Sequence, residues 1–159
     1  MRKMSLLSAM FLMFLMSLMF LMSFIGAAGA QQAQTISSGG KAYLPEECPA
    51  GSVPVLTVKL VWKDLEASAG GTGREIIEDV VFKGREGDRE IKFFNARITP
   101  SFPRGRVSIE AKCEIRRGET VVKIYETDKD NKDNPGPAPY EDAVKGRFGD
   151  LKIYLKLLP

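Results

Sequence analysis

The chain has 159 residues, a formal net charge of +3 and no histidine. The missing histidine removes the commonest acid–base catalyst and the commonest transition-metal ligand. Lys and Arg alternate with Asp and Glu without a long block of one sign, which argues against nucleic acid as a partner.

The first thirty residues differ in kind from the rest. Arg2 and Lys3 lead into an apolar run from Leu6 to Ile25, and "GAAGA" follows. That three-part plan predicts a secretory signal over residues 1–30, with Ala28 and Ala30 at the small-residue positions before the cut and Gln31 as the mature N-terminus. All seven methionines lie in this segment, where they supply bulk apolarity. The competing reading is a retained anchor, because a run of about twenty apolar residues can just span a bilayer. With cleavage, the expectation is a secreted, extracytoplasmic chain, off the membrane, of a size that suits one domain.

Residues 31–39 are rich in Gln, Ser, Thr and Gly and read as a flexible lead-in, with the domain occupying 40–159. In "VPVLTVKLVWKDL", Leu56, Val58, Leu60 and Trp62 share one face while Thr57, Lys59 and Lys63 share the other, so a strand with one buried face is predicted. Val61 interrupts the polar side, as in a strand that is covered on both faces over part of its length or is central. "ASAGGTG" at 67–73 is a loop. It lacks the Gly-Lys-Ser/Thr ending of a phosphate cradle, and a strand follows it instead of a helix.

Ile76, Val80 and Phe82 are then in phase in "REIIEDVVFKG", and Ile91 and Phe93 in "REIKFFNARI". "PSFPRG" breaks the pattern, since two prolines cannot both serve a central ladder. "RVSIEAKCEI" is the clearest strand, with Val107, Ile109, Ala111, Cys113 and Ile115 on its apolar side and Ser108, Glu110, Lys112 and Glu114 on the other. "RRGE" reverses it into "TVVKIYET" as a hairpin. "GDLKIYLKLLP" alternates again, with Leu151, Ile153, Leu155 and Leu157 against Lys152, Tyr154 and Lys156. The one short helical candidate is "YEDAVKGRF". Strands broken by Gly and Pro, without helices between them, predict an all-β fold: a single antiparallel β-sandwich or a partly open barrel of about six to eight strands.

Cys48 and Cys113 are the only cysteines. An even count in an exported chain predicts a disulfide. It would close a loop of roughly 65 residues, stabilising by about 4 kcal/mol through denatured-state entropy. The alternative keeps Cys113 as a buried free thiol and leaves Cys48 at the surface. Neither is expected to act as a nucleophile, for want of a histidine to activate it.

From Gly40 onward the chain sets Gly40 with Leu44 and Pro45, then Pro49-Ala50-Gly51, then Leu56, Val58, Leu60 and Asp64, and later "RVSIEAKCEIRRGE". On these residues it resembles the small exported β-sandwich domain of the YbaY-like lipoproteins and type III secretion pilotins. The likeness covers about Gly40 to Thr127. No cysteine follows the cleavage site, so the lipid anchor of the bacterial members is missing, and the C-terminal third is longer than expected. The resemblance implies a non-enzymatic accessory or binding module without catalytic residues, acting on a protein or extracellular-matrix partner.

"YETDKDNKDNPGP" concentrates oxygen donors. An EF-hand register from Asp128 fails, because Lys132 falls on the fifth position and no glycine on the sixth. A less regular calcium site of the C2 type would use Glu126, Asp128, Asp130 and Asp133, helped by Asp142, and gives the alternative function of a calcium-dependent binding domain. Lys129 and Lys132 oppose it, and Asn134-Pro135 reads as a turn in a solvated loop. No other cofactor is expected. Arg104, Arg106, Arg116 and Arg117 are predicted to form no single patch. Trp62 is expected in the core, and Tyr125 and Tyr154 are expected on exposed strand faces, where a tyrosine can anchor a partner.

Overall fold

In the computed structural model, residues 32–64 and 74–159 are described. The signal segment 1–30 and the glycine loop 67–73 read from the sequence lie outside them.

Seven strands follow one hydrogen-bonded path. β1 is Ile36–Tyr43, β2 Val53–Lys63, β3 Glu75–Lys83, β4 Glu90–Ile98, β5 Arg106–Arg117 and β6 Thr120–Thr127. After the two-residue β7 (Ala138–Pro139), a single helical turn α1 (Tyr140–Asp142) and a wider turn (Ala143–Arg147) come before β8 (Leu151–Leu157). The order is β3-β2-β5-β6-β8-β1-β4, with β7 attached to β5. The sheet is therefore single and continuous, and of the two predicted architectures it is the partly open barrel. β3 and β4, its two ends, are joined by rings instead of a ladder. Phe82 lies 6.2 Å from Phe93 and 5.6 Å from Phe94 between centroids.

The apolar phases read from the sequence fill the interior. Leu56, Val58, Leu60 and Trp62 of β2 and Val107, Ile109, Cys113 and Ile115 of β5 are all buried, as are Ile91 and Phe93 of β4. Each such side chain contributes about 1.5–3 kcal/mol of transfer free energy. β2 lies between β3 and β5, which places Val61, also buried, in a central strand as its interruption implied. Pro54 is tolerated there because its backbone turns away from β5 toward Gly84, just past the end of β3, whose N–H its carbonyl accepts at 2.9 Å.

Three sequence expectations are corrected. The stretch 31–39 is not all lead-in, since β1 begins at Ile36, whose side chain is buried. Its Ser- and Gly-rich composition hid a strand that needs small residues. Gly40 sits at φ +152°, and a Cβ there would lie 2.1 Å from the Leu151 carbonyl oxygen. That close approach is where β8 joins β1, and the pairing is parallel, so the sheet is not wholly antiparallel.

The third is Leu157, read in phase with the buried Leu151, Ile153 and Leu155 but 49% exposed at the end of β8. In β4 the alternation holds for Ile91 and Phe93 and then breaks. Ser38 pairs with Ala96 and Gly40 with Phe93, so β4 carries one extra residue opposite Gly39. Asn95 takes φ +55° in this bulge, and Phe94 is turned outward, 64% exposed.

Candidate functional site: a trough along the outer edge of β5

The outward residues of β5 form the floor of an open trough. One part, about 410 Å³, is bounded by Thr57 and Lys59 of β2, Glu110, Lys112 and Glu114 of β5, and Glu126 and Thr127 of β6. A second part, about 350 Å³, shares Glu110, Thr127 and Lys129 with it and is walled by Asn131 and Asn134 to Pro137. The trough exists because β6 leaves β5 early. Its last rung is Lys112 with Glu126, while β7 rejoins β5 only at Val107 with Ala138.

Side chains take over where the ladder stops. Thr127 Oγ1 accepts from the Ala111 N–H at 2.7 Å and donates to the Ala111 carbonyl at 3.2 Å. On the neighbouring strand, the Asn134 carboxamide accepts from Tyr154 N–H at 2.6 Å and donates to the Tyr154 carbonyl at 2.9 Å. Asn134 also donates to the Asp128 carbonyl at 2.6 Å, which fixes the 128–134 loop as the trough's wall.

The trough's charges alternate. Lys59 stands across from Asp79 on one side and Glu110 on the other, and Lys112 stands across from Glu126. Lys112 meets Glu114 at 3.0 Å and Lys129 meets Glu110 at 3.6 Å. Hydrogen bonds from Arg116 and then Lys112 hold the Glu114 carboxyl below the usual carboxylate range. Pairs this exposed contribute only about 0–1 kcal/mol each, so they can be exchanged for contacts with a ligand at little cost. Such a surface offers cations, anions and hydroxyls to an extended polar chain.

The predicted calcium ligands are not gathered. Asp128 and Asp130 both face Lys156, at 3.3 and 3.0 Å, so an ammonium sits where a cation would. Glu126 lines the trough instead, and the Asp133 N–H is bonded to Asn131 Oδ1 within the loop. Among the described residues no three His, Cys, Asp or Glu side chains are grouped to hold a metal ion.

The predicted disulfide is also corrected: Cys48 and Cys113 are both free thiols and both buried. Cys113 points into the core, as its phase required. Cys48 is held otherwise than by a bridge, its Sγ donating to the Ser52 carbonyl at 3.3 Å and its N–H to the Asp88 carbonyl at 3.1 Å. Burial pushes the Cys113 thiol up to about 12.

Tyr125 is buried, not exposed, and its hydroxyl donates to Glu46, which Lys123 also contacts. Tyr154 is half-buried and stacks on Tyr43 at 5.2 Å. Trp62 is in the core, with Nε1 donating to the Arg104 carbonyl at 2.6 Å. The four arginines form no common patch. Arg104 grips the buried Asp64 carboxylate at 3.1 and 3.0 Å, Arg116 pairs with Glu114, and Arg106 and Arg117 stand at opposite ends of β5.

Sequence reasoning assigned the trough's floor to the outer face but missed the trough itself. The available signal was the mismatch between a twelve-residue β5 and an eight-residue β6. No protein-family model, curated protein or solved structure matches this chain.

Proposed function

We propose that this chain is an exported, non-catalytic binding module, of the kind its resemblance to the YbaY-like domains implies, and that it holds a protein partner in the β5 trough. The trough carries the reading: an open, charge-alternating channel beside a strand whose ladder is incomplete. Export rests on Arg2-Lys3, the apolar run and Ala28-Gly29-Ala30. A non-catalytic role is supported by the chain's lack of histidine and by the burial of both thiols, which keeps them protonated at neutral pH.

Two measurements test this. The secreted chain should begin at Gln31, and full-length chain recovered only from washed membranes would contradict export. Immobilised protein should retain a partner from the native secretion, and Lys112→Glu should release it while leaving the melting temperature unchanged. Equal retention by both would remove the trough from the account.

A further inference from the structure

The main chain of β5 points alternately to its two neighbours. Ala111 turns its N–H and C=O to Thr127, away from β2. By the two-residue alternation Val107, Ile109 and Cys113 face the same way. Cys113 meets Tyr125 of β6 and Val107 meets Ala138 of β7. Ile109, between them, has neither strand beside it.

The Ile109 side chain is buried in the core, yet the residue lines the trough, so the part it presents there is its backbone. Facing it are Asn134, Pro135, Gly136 and Pro137. The two prolines have no N–H to offer its carbonyl, and the Asn134 carboxamide is committed to Tyr154 and Asp128. Among the described residues no loop backbone or side chain closes this rung.

Resting on the binding-module reading, we propose that the trough takes an extended polypeptide segment of the partner and pairs with it at Ile109. The Ile109 N–H donates to a ligand carbonyl, and the Ile109 carbonyl accepts from that same ligand residue's N–H. Ser108 and Glu110 flank the rung on the outer face, with Lys129 across from them, and would sense the adjacent ligand side chains. The recognition is thus by main chain first, which admits varied sequences but excludes proline at the paired residue.

The test is amide exchange and chemical-shift mapping on the isotope-labelled protein, probed with a synthetic library of capped short peptides. In the free protein the Ile109 N–H should exchange much faster than those of Val107 and Cys113. A binding peptide should shift and protect it, and N-methylation of one ligand nitrogen should weaken binding about tenfold, the loss of one hydrogen bond. Slow exchange at Ile109 in the free protein, or a library without a member that perturbs Ile109, would overturn the proposal. If a partner is still captured and Lys112→Glu releases it while Ile109 stays silent, main-chain pairing fails and the binding-module reading stands. If capture ignores the trough variant, that reading is what fails.

Discussion

The carboxamide of Asn134 acts as a strand residue toward Tyr154, accepting from its N–H at 2.6 Å and donating to its carbonyl at 2.9 Å. A side chain thereby extends the ladder of β8 beyond the point where β6 stops pairing with it at Thr127. Replacing Asn134 with Ala should destabilise the protein by about 1–3 kcal/mol, since the partly buried Tyr154 N–H loses its partner while the Tyr154 and Asp128 carbonyls keep only the N–H groups of Asp128 and Asn131. Asn134→Asp should be at least as harmful at neutral pH, because a carboxylate cannot donate to the Tyr154 and Asp128 carbonyls. Urea unfolding of the three proteins measures this, and an unchanged midpoint for both variants would show that the loop is not held this way.

Thr127 does the same for Ala111 with one hydroxyl. Thr127→Val keeps the shape and removes both bonds, so a loss of about 1–3 kcal/mol is expected, with Thr127→Ser recovering most of it. Amide exchange locates the effect: the Ala111 N–H should lose protection in the valine variant and keep it in the serine variant.

Gly40 sits where β1 and β8 meet. Gly40→Ala adds a Cβ 2.1 Å from one backbone atom of Leu151 and 2.6 Å from another, on a backbone conformation that L residues avoid. Backbone cannot yield as a side-chain tip can. The variant should lose more than about 3 kcal/mol or fail to fold, as thermal unfolding would read. Gly51, whose added Cβ would meet nothing within 4 Å, shares the positive φ alone and should suffer less on the same change.

The buried thiols give a pH dependence. Burial raises Cys113 from 9.0 to about 12 and also raises Cys48, so the folded chain keeps both neutral longer than the unfolded chain does. That contribution is fully present below about 9.0 and is lost as pH climbs toward 12. Tyr125, raised by burial and by Glu46, acts in the same direction. Stability should therefore fall between pH 9 and 12, and Cys113→Ala should flatten the fall. Native protein should resist a thiol reagent and release two thiols on denaturation without reductant. A bridged chain would release none.

The sequence shows the barrel's interior plainly, because strand alternation records burial directly: Val107 to Ile115 and Leu151 to Leu155 fall inside as their phase requires. It hides what depends on distant chain. β1 is legible as a strand only once Leu151 is known to lie against Gly40. Tyr125 reads as an outward residue among lysines until Glu46 is placed beside it. Asp128 and Asp130 read as metal ligands until Lys156 is seen between them. The bulge at Phe94 and Asn95 moves every later residue of β4 by one step, a shift that no periodicity in β4 itself announces.

The most direct test of the trough is amine-acetylation footprinting of the protein with and without its captured partner. Lys59, Lys112 and Lys129 line the trough, whereas Lys92 and Lys145 lie on β4 and on the turn before β8. The partner should shield the first three and leave the other two as reactive as in the free protein. Shielding of Lys92 and Lys145 with the trough lysines unprotected would contradict it.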